Sequence, residues 1–217
     1  DFLPNIDRYT AQGQIDRAFW LKAGDVGVLG ATIPEEYGGL GLSRHFDAVA
    51  YLEQAKAGDS GWGFSVHNIA THYLTGFGTE EQKRRWLPKL ASGEMIGAIA
   101  MTEPGAGSDL QAIKTTAIRD GNEYLINGSK TFISNGINAD VVVVAAKTDP
   151  EHNPHHMTLF LVERGMEGFA RGRNLEKMGM KAQDTAELFF NDVKVPKANV
   201  LGEPGKGFIY LMEGLAE

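Results

Sequence analysis

The chain contains no cysteine, which excludes disulfides and thiolate metal sites and fits a reducing compartment. No apolar run approaches the length of a membrane span, and no signal peptide opens the sequence. Positive charge is in the minority, with 21 Lys and Arg against 28 Asp and Glu and a net charge of −7. That balance argues against a nucleic-acid partner, because holding a phosphate backbone needs a concentrated positive surface. What is present suffices for real cores: 217 residues, 42% of them apolar, make one large domain or two modest ones.

The chain is organised around Ile99-Ala-Met-Thr-Glu-Pro-Gly-Ala-Gly-Ser-Asp109. The stretch starts as a short apolar run, turns at Pro104, and then offers Gly105 and Gly107, which have no Cβ to hold a ligand away from the backbone. Thr102 and Ser108 add hydroxyls, and N–H groups exposed in such a turn can face an anion. An ordinary Pro/Gly loop between two strands has the same composition. Gly-Lys-Ser/Thr is missing and the glycine spacing differs from G-x-G-x-x-G, so neither a Walker loop nor a dinucleotide fingerprint is present here.

The pattern along the chain predicts an α+β fold, with helices first and strands after. Asp16–Gly24, residues 44–57 and residues 62–75 have helical spacing, with Phe46, Val49, Ala50 and Leu52 among the apolar positions of the second. Thr79-Glu-Glu-Gln82 has the form of a capping box opening a further helix that ends around Pro88. Lys83-Arg-Arg85 reads as its solvated face. From Met95 onward the runs become short and β-compatible: 95–101, 115–119, 124–126, 131–133, 141–146, 159–162 and 188–195. Asp120-Gly-Asn122 is a hairpin signature, and Asn127-Gly128 predicts a second tight turn. Many short strands with regular turns suggest a small barrel or sandwich. Residues 205–217 open a last helix.

His152, His155 and His156 invite a metal reading, but no acidic or cysteine partner completes a site of known spacing, and an exposed loop is favoured. His67 and His72 fall on a helix and read as packed or hydrogen-bonded residues. Glu35 and Glu36 are adjacent, so their side chains diverge and do not form an acid/base pair.

Three segments, in order, resemble the acyl-CoA dehydrogenase family: 101–109, Asn127-Gly-Ser-Lys-Thr-Phe-Ile-Ser-Asn-Gly136, and Lys177-Met-Gly-Met-Lys-Ala-Gln-Asp-Thr-Ala-Glu-Leu-Phe-Phe190. The wording of the third is nearest the long-chain members. The resemblance implies an N-terminal helical domain (1–97), a middle β domain (98–203), and the start of a C-terminal helical bundle (204–217). The chain starts without Met and ends inside a helical pattern, so it reads as a fragment lacking most of that bundle.

The resemblance further implies FAD as cofactor, with Ile99, Met101, Thr102, Gly107 and Ser108 along the flavin on one loop and Phe132, Ile133 and Ser134 on another. Ser108 would also reach the thioester substrate, an acyl-CoA. Ser134 keeps the family's hydroxyl near the flavin, while Phe132 replaces the commoner Trp and keeps an aromatic face. The implied activity is α,β-dehydrogenation of a fatty acyl-CoA to the trans-2-enoyl-CoA, as in fatty acid β-oxidation, with electrons passed to an electron-transfer flavoprotein. The catalytic Glu is expected at or just beyond Glu217. A homotetramer is implied for the full-length protein, in the bacterial cytoplasm or the mitochondrial matrix according to the source. The alternatives are an oxidase on the same scaffold that hands electrons to oxygen, and a catalytically silent flavin- or acyl-CoA-binding module.

Overall fold

The computed structural model describes residues 2–58, 61–149, 151, 153 and 155–215. Its helical part holds α1 (Ile6–Gln12), α2 (Arg17–Asp25), α3 (His45–Lys56), α4 (Phe64–Phe77) and α5 (Glu80–Ala91). The capping box forms as the sequence predicts: Thr79 Oγ1 accepts from the Gln82 N–H at 3.2 Å, and Gln82 Oε1 accepts from the Thr79 N–H at 3.0 Å. Contrary to expectation α5 does not stop at Pro88 but continues to Ala91. A proline removes one helical donor, yet Leu87, Leu90 and Ala91 are buried around it and their burial carries the turn onward.

α3 also departs from a simple amphipathic reading. Phe46, Val49 and Leu52 face outward, each about half exposed, while Asp47 is buried. The packed stripe is Asp47, Ala50 and Tyr51, an i, i+3, i+4 set. Asp47 is held there by Thr32 and by His72, whose Nε2 lies 3.3 Å from its Oδ2.

The strands are β1 (Gly97–Ala100), β2 (Thr116–Asp120), β3 (Glu123–Ser134), β4 (Val141–Lys147), β5 (Met157–Glu163), β6 (Phe169–Asn174), β7 (Thr185–Pro196) and β8 (Val200–Leu201), followed by α6 (Gly207–Leu215). They form one sheet in the order β6-β7-β3-β2-β4-β5-β8, with β1 parallel beside β4. The unbroken apolar run of β4 follows from burial on both faces. Val141, Val143 and Ala145 join the core shared with α4, α5 and α6, while Val142, Val144 and Ala146 join a second core that strands from β1 to β8 enclose. No helix among the described residues is long and apolar enough to cross a membrane.

The Asp120-Gly-Asn122 hairpin is present. Asp120 pairs with Glu123, and Gly121 has φ 58°, the positive value that a two-residue hairpin turn needs. Asn127-Gly128, however, is not a turn. β3 runs straight through it, opposite a bulge whose extra residue lies on β7, so 124–126 and 131–133 lie on one strand. Neighbours on both sides hold the backbone extended there. The Asn127 side chain donates to Asp192 Oδ1 and accepts from the Asp192 N–H, each at 2.9 Å, and a Cβ on Gly128 would lie 2.8 Å from Thr115 Cα.

Candidate functional site

Loop 101–109 leaves the end of β1 and is fastened to β3 at several points. The Thr131 N–H donates to the Thr102 carbonyl at 3.0 Å, and Thr102 Oγ1 donates back to the Thr131 carbonyl at 2.5 Å. Glu103 and Ala106 exchange backbone bonds of 2.9 and 3.0 Å across the Pro104-Gly105 turn. Beneath the turn lies a buried ion pair: Lys130 Nζ is 2.8 Å from Glu103 Oε1 and 3.0 Å from the Met101 carbonyl. Glu103 also accepts the N–H groups of Lys114 at 2.6 Å and Thr115 at 3.0 Å.

The electrostatics of the pair follow from this geometry. Burial pulls Lys130 down to about 8, against the opposing pull of Glu103. Burial pushes Glu103 up, but Lys130 and the two amides outweigh it and hold the carboxylate below its ordinary range. Near neutral pH both groups are charged.

Glycine is not needed at 105 or 107 for any contact within the chain. A Cβ on either would meet nothing within 4 Å, and neither has a positive φ. Gly107 and Ser108 are exposed, Ile99 and Met101 are half-buried against the helix-side core, and Thr102 is partly buried. Among the described residues the N–H groups of Met101 and Thr102 have no acceptor.

The second segment lies at the end of β3. Ile133 turns inward, 2% exposed, so only its backbone is available to a ligand. Phe132 is 71% exposed with φ 57°. An aromatic residue in the left-handed region with its ring in solvent costs stability, and such strain collects where a site needs it. The hydroxyls of Ser108 and Ser134 have no protein partner among the described residues.

Loop 135–140 follows Ser134 and is braced throughout. Three of its N–H groups go to Asp184, whose Oδ2 accepts from Ile137 at 2.8 Å and Asn138 at 3.1 Å and whose carbonyl accepts from Asn135 at 3.0 Å. Its carbonyls go to arginines: Arg171 takes Gly136 and Ala139, Arg164 takes Ile137, Asn138 and Ala139, and Arg17 takes Asn138. Asn135, fully buried with φ 61°, donates to the carbonyls of Gly63 at 2.8 Å and Gly97 at 3.1 Å. Burial pushes Asp184 up, opposed by the amides it accepts.

Sequence reasoning did not single out Glu103, Lys130, Asn135 or Asp184, although all four lie inside the matched segments. A signal existed for Lys130. The inward positions Tyr124 and Ile126 set a period of two that continues to it.

Elsewhere, a cavity of about 700 Å³ lies between α3, α4 and α6, lined by Tyr51, Ile69, His72, Tyr73 and Phe77 among others. Of the histidine cluster, His155 is exposed and His156 Nδ1 sits 2.7 Å from Thr148 Oγ1. His152, like the base candidate Glu217, lies outside the described residues. The basic run of α5 is less free than its pattern suggests, since Arg84 pairs with Glu80 and Arg85 with Glu163 of β5.

Comparison with known proteins gives two family matches: "Acyl-CoA dehydrogenase, N-terminal domain" over residues 1–94 and "Acyl-CoA dehydrogenase, middle domain" over residues 98–193. The chain belongs to the acyl-CoA dehydrogenase family. It is 49% identical over 220 residues to the mitochondrial long-chain specific acyl-CoA dehydrogenase of Rattus norvegicus, covering 100% of this chain and 51% of the relative. The chain thus spans about half the length of the relatives it matches. The crystal structure of an acyl-CoA dehydrogenase from Geobacillus kaustophilus superimposes with a TM-score of 0.95 at 54% identity, covering 98% of this chain and 57% of that one. An acyl-CoA dehydrogenase from Bacillus anthracis complexed with FAD superimposes with a TM-score of 0.90 at 39% identity, covering 99% and 38%. The stapled loop and the strained end of β3 both lie within the middle-domain match.

Proposed function

We propose that this chain supplies the flavin-holding part of an FAD-dependent acyl-CoA dehydrogenase acting on long acyl chains. The observation that carries the reading is the fastening of loop 101–109 to β3, which leaves two free N–H groups, two bare glycines and an exposed aromatic ring for a ligand outside the chain. These residues fit a flavin. The N–H groups of Met101 and Thr102 would donate to acceptor atoms of its edge. Thr102 Oγ1, whose proton goes to Thr131, is left as an acceptor. Phe132 would pack on the ring system, and Gly105 and Gly107 admit close approach. Ser134 and Ser108 keep hydroxyls free to bond cofactor and thioester. When bound, FAD supplies the oxidant that takes a hydride from the substrate's Cβ.

The cavity between α3, α4 and α6 suits the acyl chain, with Ile69, Tyr73 and Phe77 as apolar wall. The long-chain assignment rests on identity to long-chain relatives. Transfer of electrons to an electron-transfer flavoprotein, and assembly as a homotetramer, are carried over from the family.

The test is the visible spectrum of the full-length protein, purified with added FAD and followed anaerobically on adding a long-chain acyl-CoA. Flavin absorption that bleaches with the substrate and returns slowly in air supports a dehydrogenase. Rapid return in air would indicate an oxidase, and no bound flavin would end the reading. Phe132→Gly separates site from scaffold. It should raise stability by about 0.5–1 kcal/mol, because a left-handed backbone costs a non-glycine residue roughly 1–2 kcal/mol and glycine returns only part of that in unfolded-chain entropy. The same variant should bind FAD more weakly. A loss of stability in urea unfolding would show that the ring packs on protein instead.

A further inference from the structure

Lys130 is fully buried, the one lysine so placed among the described residues. Burying an ammonium is costly even with a partner, and an apolar side chain of similar volume would often serve stability as well or better. Its partners show what the charge is used for. Besides Glu103 it donates to the Met101 carbonyl at 3.0 Å. That carbonyl and the Thr102 N–H belong to one peptide unit, and no peptide bond among the described residues is cis, so the two groups point in opposite directions. With the carbonyl turned inward onto Lys130, the Thr102 N–H faces away from it and has no acceptor among the described residues. A cation on the carbonyl oxygen also polarises the peptide and strengthens its N–H as a donor.

We infer that Lys130 is a positioning residue for the cofactor loop, its ammonium orienting and polarising the Met101–Thr102 peptide so that the outward N–H meets an acceptor atom of the bound flavin. The inference rests on the reading that FAD occupies this loop. Glu103 is the anchor, joining Lys130 to the amides of Lys114 and Thr115 and so fixing the ammonium under the turn. Among the described residues the charged group that acts on Lys130 is Glu103 on the loop; Lys114, whose backbone N–H Glu103 accepts, has an exposed side chain.

Burial holds Lys130 down to about 8, so its charge, and with it the polarised peptide, is present below that pH and lost above it. The experiment is the FAD dissociation constant of the full-length protein from about pH 6 to about pH 9, for wild type, Lys130→Met and Glu103→Gln. Wild type should weaken by about tenfold as pH rises through the Lys130 transition, the weight of one charge-assisted hydrogen bond. Lys130→Met should bind about tenfold more weakly at neutral pH and show no such transition. Glu103→Gln keeps an acceptor but removes the counter-charge, so its transition should move to lower pH.

A purely structural pair would not move a midpoint in this way. A flat wild-type profile, or a Glu103→Gln midpoint unchanged or raised, would overturn the inference while leaving the flavin reading intact. No FAD binding at any pH would overturn both. If Lys130→Met does not fold, the wild-type and Glu103→Gln profiles decide alone.

Discussion

Replacing Asp184 with alanine should remove about 3–5 kcal/mol of stability, the cost of breaking a buried, hydrogen-bonded charge network from one side. Asp184 is 3% exposed and accepts from the Ile137 and Asn138 amides and from the Asn138 side chain at 3.1 Å. Alanine would leave the partly buried Ile137 N–H and the buried Asn138 N–H without an acceptor, and would cost the Asn138 side chain one of its two acceptors, each lost buried bond costing about 1–3 kcal/mol. It would also withdraw a negative charge from a loop whose carbonyls are held by Arg17, Arg164 and Arg171. Urea unfolding should give a lower midpoint with an unchanged slope, and the melting temperature should drop by about 10 °C. Loop 135–140 continues directly from Ser134, so FAD affinity should fall as well. A change under 1 kcal/mol would show that the arginines alone define the loop.

Acidification should destabilise the protein through His67. This residue lies in α4, fully buried, and its Nδ1 accepts the Gly97 N–H at 3.1 Å, tying the helix to the start of β1. Burial drives its pKa from the ordinary 6.5 down to about 4, with the nearby Leu90 carbonyl opposing. The sign follows. Between these values the unfolded chain carries a proton on His67 and the folded chain does not, so stability is fully present above 6.5 and declines as pH falls towards 4. The drop is about 3 kcal/mol across that window. Carboxylates titrate over part of the same range, so the comparison is with His67→Gln, which does not titrate. Wild type should lose about 3 kcal/mol more than the variant between pH 7 and pH 4 in urea unfolding. Parallel profiles would mean that His67 takes up its proton in the fold over the same pH range as in the unfolded chain.

Much of the architecture is legible from local pattern. Thr79 and Gln82 specify the start of α5 because both halves of a capping box lie within four residues. The Gly121-Asn122 hairpin is read from the same kind of local chemistry, and the 141–146 run declares a strand buried on both faces. Other features depend on neighbours distant in sequence. Asn127-Gly128 carries a strong turn signal, yet Thr115 and Asp192 keep it extended, opposite a bulge whose extra residue lies on β7. Pro88 reads as a stop, but burial on either side of it keeps the helix going. β6, with sequence Phe-Ala-Arg-Gly-Arg-Asn, has no alternating apolar pattern and becomes a strand by pairing with β7.

By itself the sequence determined the family, the helices-then-strands order and the two segments that form the candidate site, because turn residues, hydroxyls and glycines act through their own backbone and must lie at set spacings. Only the tertiary structure decided what holds that site in shape. Lys130 meets Glu103 across 27 positions, Asn138 meets Asp184 across 46, and Arg17 reaches Asn138 across 121. Charges buried at such separations have no local signature, since their partners are chosen by how the sheet is rolled and which carbonyls and amides would otherwise be left unpaired inside it.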